Sequence, residues 1–230
     1  MINILRNNEI VIGTLFGKAK ELYPKFHKFL KSKNKISALD LGCRLPTNLF
    51  MLYHVYETSD LIGLDKMSEG NCVNKFIEQH SNVTEKDKLN QLQSAKTFFD
   101  LYKLHVSVTD DEERQKINSQ NKFNSIFTDK FVKSRIHTYL EKNTQLFDVI
   151  IISNVLHFFI PAKVEQILML IKKSMKEDGL LIIRVQEKSV FQYKEFRSVL
   201  SNFFPKGELH EYYKSNVWNH SIFINHPNLT

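Results

Sequence analysis

Glycine is scarce in this chain, with 7 residues in 230, which is about 3% against a usual share of roughly 7%. No G-x-G-x-x-G occurs, so the glycine fingerprint of dinucleotide-binding enzymes is absent. The segment from Gly13 to Lys18 has the wrong spacing for a phosphate-binding loop, and neither Ser nor Thr follows its lysine. A cofactor loop that depends on several closely spaced glycines therefore has few possible positions.

Cysteine is also rare, and Cys43 and Cys72 match no metal-ligand spacing. Two cysteines cannot form a disulfide framework or supply a zinc site alone, so we expect a reducing, cytoplasmic setting and no bound metal. None of the nine histidines opens an H-E-x-x-H, which excludes the common zinc-protease motif. None of the eight tyrosines has lysine four residues later, so the tyrosine and lysine pair of short-chain dehydrogenases is absent too.

Long apolar runs are missing as well. The longest, Val149 to Ile160, is interrupted by polar residues and is shorter than the roughly 20 residues that span a bilayer, so we expect a soluble protein with no membrane partner. The 32 Lys and Arg against 25 Asp and Glu give a formal charge of +7. Because the lysines are scattered, this charge is typical of a solvated surface, while an acidic or nucleic-acid substrate stays open.

Apolar patterns of two periods alternate along the chain. Helical spacing runs from Ile10 to Lys35 and again from Pro46 to about Tyr56. Short apolar runs predict strands at 36–41, 61–65, within 125–133, at 147–153 and at 180–185. Further helices are expected at 136–142, from Pro161 to a stop at Glu177, Asp178 and Gly179, and at 193–203, and the runs 208–214 and 218–224 predict an antiparallel pair.

Strands that alternate with helices predict an α/β protein, a three-layer α/β/α sandwich whose mostly parallel sheet is closed by an antiparallel C-terminal hairpin. We expect one domain over 1–230. Residues 1–35 form its N-terminal helical segment. Residues 66–122 are too long for an ordinary connection, and their spaced apolar residues predict a mostly helical insertion.

Polar residues follow three of the predicted strands. Asp40 and Gly42 end the first strand, Asp65 ends the second, and Ser153 and Asn154 end the fourth. Ligands of open parallel sheets bind outside the carboxyl ends of the strands, and an acid after the second strand can accept hydrogen bonds from both ribose hydroxyls of a nucleoside. These ends are therefore the candidate site.

The order of these segments resembles the class I S-adenosylmethionine-dependent methyltransferases. The similar segments are Ala38 to Cys43, Ile62 to Asp65, Phe147 to Ile150 with Asn154 to His157, and Lys176 to Ile183. The resemblance extends from about residue 36 to the end of the chain. It implies a Rossmann-like fold with a seven-stranded sheet, S-adenosyl-L-methionine as the cofactor, and methyl transfer as the activity.

The resemblance also implies a set of cofactor-binding residues, which lie on the turns after the strands. They are Asp40, Gly42, Cys43, Arg44, Asp65, Lys66, Met67, Ser153 and Asn154. The turn around Gly42 would lie against the methionine part of the cofactor, Asp65 against the ribose, and Lys66 and Met67 beside the adenine. The turn Ser134 to Ile136 corresponds to an adenine contact, with Asp129 as the alternative.

Two departures from the family pattern lie in the first turn, where Arg44 and Pro46 replace glycines. Arginine adds bulk at a point of close approach, and proline removes a backbone donor. Alternatively, the Arg44 guanidinium faces the cofactor carboxylate. A degenerate member that binds cofactor or a partner without catalysis is therefore a second hypothesis.

The proton acceptor and the methyl acceptor are the remaining questions. His157 is the nearest candidate base, and its alternative role is to begin the next helix and hydrogen-bond locally. No Asp/Asn-Pro-Pro-Tyr segment occurs, so the common signature of nucleic-acid amino methylation is absent. We expect a small-molecule acceptor, with RNA as the alternative because of the basic charge.

Overall fold

The computed structural model describes residues 28–44, 46, 48–49, 52, 60–79, 86–98, 100–101, 130–186, 193–214 and 219–226. The strands are β1 Ser37–Leu41, β2 Asp60–Asp65, β3 Phe131–Lys133, β4 Phe147–Ser153, β5 Met175–Gln186, β6 Glu208–Lys214 and β7 Asn219–Asn225. They form one seven-stranded sheet in the order β3-β2-β1-β4-β5-β7-β6. Neighbouring strands from β3 to β5 are parallel, whereas β7 runs antiparallel to both β5 and β6. The predicted parallel sheet with an antiparallel C-terminal hairpin is confirmed.

The helices are α1 Glu69–Gln79, α2 Lys86–Ser94, α3 Ile136–Lys142, α4 Pro161–Ser174 and α5 Tyr193–Phe203. One face of the sheet packs on α3, α4 and α5 through a single apolar cluster. Val164, Ile167, Leu168 and Ile171 form the buried stripe of α4 in this cluster. Strand residues that alternate with those of the cluster, such as Val149 and Ile151, are also buried, as expected for a parallel sheet covered on both faces.

The segment after β2 is mostly helical where the structure describes it. Cys72, Val73 and Phe76 are the buried residues of α1. Leu92 and Phe98, which the apolar spacing singles out, are buried as well. The Glu69 carboxylate accepts a hydrogen bond from the Phe98 backbone N–H at 2.8 Å, so the first turn of α1 holds the start of the helical turn at 98.

The junction of α4 and β5 differs from the prediction. The helix ends at Ser174 and not at Glu177 to Gly179, and Met175 already belongs to β5, where it pairs with Phe147. The register is irregular between Phe147 and Val149, so the start of β5 is distorted. A Cβ on Gly179 would lie 2.5 Å from Met175 Cγ and 2.9 Å from the Lys176 carbonyl oxygen, so glycine serves close packing here rather than a helix stop.

A buried carboxylate lies at the amino-terminal edge of the sheet. Asp148 Oδ2 accepts hydrogen bonds from the Ser37 backbone N–H at 2.9 Å, the Ser37 hydroxyl at 2.8 Å and Lys176 Nζ at 2.8 Å. Lys33 pairs with Asp148 and also with Asp178. Burial opposes ionisation, but the hydrogen bonds from Lys176 and Ser37 outweigh it and lower the pKa of Asp148. This cluster joins the starts of β1, β4 and β5.

Several predicted elements lie wholly or partly outside the described residues. Of the helix expected over 10–35, residues 28–35 are described: 28–31 are helical, and the helix ends before the predicted Lys35 because 32–35 form a turn and bend. The helix from Pro46 to Tyr56 is described only at a few positions, and the predicted insertion 66–122 lies outside the described residues beyond position 101. Among the described helices, none has the length and hydropathy of a membrane span.

Candidate functional site

The carboxyl ends of β1, β2 and β4 meet at one edge of the sheet. Leu41 of β1 pairs with Leu64 of β2 and with Ile152 of β4, so the turns that follow the three strands start at the same level. The chain order of the strands reverses between β1 and β4. Ligands of open α/β sheets bind at such a reversal, which makes this edge the candidate site.

The turn after β1 requires glycine at position 42. The φ angle of Gly42 is +67°, in the left-handed region that side chains disfavour. A Cβ at this position would lie 2.6 Å from Val155 Cγ2 and 3.0 Å from Val155 Cγ1. The turns after β1 and β4 are therefore in direct contact.

Arg44 adopts a left-handed conformation at a position where the family pattern has glycine, with φ of 51°. This conformation costs a residue with a side chain about 1–2 kcal/mol. The guanidinium Nη2 donates to the Lys75 carbonyl oxygen at 3.2 Å and to Gln79 Oε1 at 2.7 Å, both in α1. The guanidinium thus lies against α1, and this geometry does not favour the alternative in which it faces a cofactor carboxylate. The replacement of glycine leaves the turn intact.

The Asp65 carboxylate is held by backbone donors from two turns. Its Oδ2 accepts from the Arg44 N–H and its Oδ1 from the Met67 N–H, each at 3.0 Å. The Asp65 carbonyl oxygen accepts from the Ser134 N–H at 2.8 Å, which brings the turn after β3 to the same point. The side chain is 7% exposed, while the neighbouring Lys66 is exposed. The position of the Asp65 carboxylate is therefore fixed by the backbone around it.

Asp40 is a fully buried carboxylate with an unsatisfied oxygen. Its Oδ2 accepts from Asn48 Nδ2 at 3.3 Å, and its Oδ1 has no hydrogen-bond partner among the described residues. The pKa of Asp40 is raised to about 7, because burial, with a smaller contribution from repulsion by Asp65, outweighs the Asn48 hydrogen bond that lowers it. An acceptor without a donor inside a protein costs free energy and calls for an explanation, such as a ligand that supplies the donor.

The turn after β4 contains a second unsatisfied acceptor. Ser153 ends β4, and Asn154 has a φ of 54°. The Asn154 N–H donates to the Arg184 carbonyl oxygen at 3.0 Å, whereas its buried Oδ1 has no partner in the part of the chain that the structure describes. Two acceptors without donors, Asp40 Oδ1 and Asn154 Oδ1, thus belong to neighbouring strands at the reversal.

His157 lies in a 3-10 turn, Leu156–Phe158, and not in the helix that begins at Pro161. Its ring contacts that of Phe158, with centroids 4.0 Å apart. Burial lowers the pKa of His157, so the imidazole is neutral at pH 7 and able to accept a proton. Phe158 and Ile160 are 77% and 72% exposed, which makes this turn the apolar part of the edge.

Cys43 is half-buried beside β2. Its N–H donates to the Leu64 carbonyl oxygen at 3.0 Å, and a Cβ on Gly63 would lie 3.3 Å from its Sγ. Burial, followed by repulsion from Asp40 and Asp65, raises the pKa of the Cys43 thiol well above its usual value, so it is no thiolate nucleophile at neutral pH. Within the described parts of the chain, no group of three or more His, Cys, Asp or Glu side chains is arranged to hold a metal ion.

Two residues of this edge escape the sequence reasoning. Val155 packs on Gly42, and Asn48 hydrogen-bonds Asp40. Asn48 carries a signal, since it is a polar residue next to apolar ones in a helical stretch that follows the first strand. Val155 carries none, because only the fold brings the turn after β4 against the turn after β1.

The fold is the Rossmann-like fold of the class I S-adenosylmethionine-dependent methyltransferases. The chain is similar to the N-methyltransferase NodS from Bradyrhizobium japonicum WM9 in complex with S-adenosyl-L-homocysteine, with 11% identity over 92% of this chain and 88% of that one, and a TM-score of 0.50. It is similar to the plantazolicin methyltransferase BpumL in complex with the same ligand, with 13% identity, 92% and 84% coverage, and a TM-score of 0.51. A protein of Pyrococcus horikoshii OT3 matches at 13% identity over 91% and 89%, with a TM-score of 0.50. No family model and no curated protein sequence matches the chain.

Proposed function

We propose that the chain is an S-adenosylmethionine-dependent methyltransferase. The observation that carries the proposal is the Asp65 carboxylate, fixed by the N–H groups of Arg44 and Met67 at the end of β2. An ionised carboxylate has about four acceptor positions, so two remain for the two hydroxyls of a ribose. The solved structures of NodS and BpumL contain S-adenosyl-L-homocysteine, which supports this ligand class.

The unsatisfied acceptors of the site suit the charged part of the same cofactor. S-adenosylmethionine supplies an electrophilic methyl group on a sulfonium, and its methionine part has an ammonium group. An ammonium group only donates hydrogen bonds, so it needs acceptors that are still open. Asp40 Oδ1 and Asn154 Oδ1 are such acceptors among the described residues. Gly42, Cys43 and Arg44 would line the methionine part with backbone, Ser153 would face the acceptor side, and Lys66 and Met67 would flank the adenine.

The remaining chemistry belongs to the acceptor. Methyl transfer needs alignment of the acceptor atom with the methyl carbon, and a base where that atom carries a proton. The neutral His157 ring, in the turn after β4, is the side chain that would take this proton. Two exposed apolar residues next to it, Phe158 and Ile160, support a small-molecule acceptor with an apolar part. RNA binding that weakens steeply between 50 and 200 mM salt would favour the nucleic-acid alternative instead.

Calorimetry with S-adenosyl-L-homocysteine tests the cofactor assignment. Asp65→Asn removes the charge but keeps the shape, and the loss of charge-assisted hydrogen bonds should weaken binding by about 1.5–3 kcal/mol, or roughly 10- to 100-fold. Asp60→Asn is the matched control, because Asp60 lies at the opposite end of the same strand, where its Oδ2 accepts a hydrogen bond from Gln145 Nε2 at 3.2 Å. Absence of binding to the unaltered chain at millimolar ligand would refute the proposal.

Transfer of labelled methyl from S-adenosylmethionine separates enzyme from binding protein. A chain that binds S-adenosyl-L-homocysteine but labels neither small molecules nor RNA from a cell extract would favour the hypothesis of a degenerate, non-catalytic member.

The free thiols of Cys43 and Cys72 support the expected cytoplasmic setting.

A further inference from the structure

Arg44 connects two turns of the candidate site through both its backbone and its side chain. Its N–H donates to Asp65, and its guanidinium donates to Lys75 and Gln79 in the last two turns of α1. The helix α1 begins four residues after Asp65. The contacts therefore close a ring. The backbone runs from Asp65 into α1, α1 binds the Arg44 guanidinium, and the Arg44 N–H binds the Asp65 carboxylate.

The side-chain contacts explain how arginine persists in an unfavourable backbone conformation. The left-handed φ of 51° disfavours any residue with a Cβ. Hydrogen bonds from a charged donor offset such a cost, and a cation near the C-terminus of a helix is favoured by the helix dipole. A glycine at this position would relieve the backbone but would leave the turn after β1 untied from α1.

We propose that Arg44 is a positioning residue that fastens the turn after β1 to α1 and so keeps the Arg44 and Met67 N–H groups on the Asp65 carboxylate. The inference rests on the proposed function, because the advantage of a fixed carboxylate lies in preorganised binding of the cofactor ribose. Arg44 affects the cofactor indirectly, by fixing the Asp65 carboxylate, because its own guanidinium contacts α1.

Calorimetry with S-adenosyl-L-homocysteine on a set of variants tests the inference. Arg44→Ala should weaken binding about tenfold, which corresponds to one charge-assisted hydrogen bond. Gln79→Ala should weaken it about threefold, because the Lys75 carbonyl stays available. The double variant should bind no more weakly than Arg44→Ala, since both changes remove the same contact. Arg44→Lys should recover part of the loss.

Lys75→Ala is the matched control, because Lys75 contributes only its carbonyl oxygen and its side chain is exposed. This variant should keep parental affinity. Hydrogen exchange without ligand adds a second measurement: the Met67 amide should exchange faster in Arg44→Ala than in Lys75→Ala. Gln79 is exposed, so its variant remains informative even where Arg44→Ala fails to fold.

The outcomes distinguish this inference from the proposed function. Unchanged affinity in Arg44→Ala and Gln79→Ala, with normal binding by the parent, overturns the positioning role and leaves the function standing. A lower melting temperature without a change in affinity overturns it as well, because a merely structural contact behaves that way. Absence of binding to the parent overturns both.

Discussion

Replacement of Gly42 by alanine tests the geometry of the turn after β1 directly. The φ of +67° costs alanine about 1–2 kcal/mol relative to glycine. The new Cβ would meet Val155 Cγ2 at 2.6 Å, and overpacking of this kind costs about 1–3 kcal/mol. The sum is about 2–5 kcal/mol, which lowers the melting temperature of a chain of this length by about 4–20 °C.

A second substitution separates the two contributions. Gly42→Ala combined with Val155→Ala removes the clash but not the backbone strain, so it should recover stability relative to the overpacked single variant after correction for Val155→Ala alone. Gly70→Ala is the matched control, because a Cβ on Gly70, the second residue of α1, meets nothing within 4 Å. This variant should be neutral or slightly more stable, since glycine in a helix is unfavourable by about 0.5–1 kcal/mol relative to alanine.

The assay is urea denaturation of the parent, the two single variants at Gly42 and Gly70, and the double variant with its Val155→Ala reference. Linear extrapolation gives the free energy of unfolding for each. Equal stability of Gly42→Ala and the parent would refute the left-handed turn at position 42, and with it the contact between the turns after β1 and β4.

Two further predictions concern buried carboxylates. Asp148→Asn should lower the free energy of unfolding by about 2 kcal/mol at pH 7. Because the pKa of Asp148 is lowered in the folded protein, its contribution to stability is lost as the pH falls. In urea titrations, the difference in unfolding free energy between parent and variant should therefore close below about pH 4. Asp40 behaves oppositely: its raised pKa of about 7 means that the parent loses stability as the pH rises from about 4 through 7. Asp40→Asn should therefore be more stable than the parent at pH 8, by up to about 4 kcal/mol, and no more stable at pH 4, yet bind S-adenosylmethionine more weakly. Identical pH profiles of parent and Asp40→Asn would contradict this assignment.

Residue pattern predicts the strands well where hydrophobicity alone decides them. β4, 147–153, follows from the apolar run Val149 to Ile152 next to Phe147, as expected for a strand covered on both faces. The start of α4 follows from Pro161, which suits the first turn of a helix. Strand ends then locate the candidate site, because parallel strands bring their carboxyl ends to one edge.

Contacts between distant residues decide the rest. The end of α4 is mispredicted because Glu177, Asp178 and Gly179 have the composition of a helix stop, whereas pairing of Met175 with Phe147 begins β5 earlier. Arg44 in a left-handed conformation is likewise unpredictable from local preference, which disfavours it, and is explained only by acceptors in α1. Asp148 carries a local signal, a charge inside an apolar strand, but its partners lie elsewhere in the chain.

Asp148 and Asp40, buried carboxylates at opposite edges of the sheet, have opposite surroundings. At the amino-terminal edge Asp148 has donors from Ser37 and Lys176, and at the carboxyl edge Asp40 keeps an oxygen unsatisfied. The hydrogen bonds of Asp148 therefore stabilise the fold independently of the ligand edge. This stability can offset substitutions at the ligand edge that impair folding. Reinforcement around Asp148 would widen the range of tolerated substitutions near Asp40, so laboratory evolution toward a new acceptor should begin from a variant stabilised at the far edge.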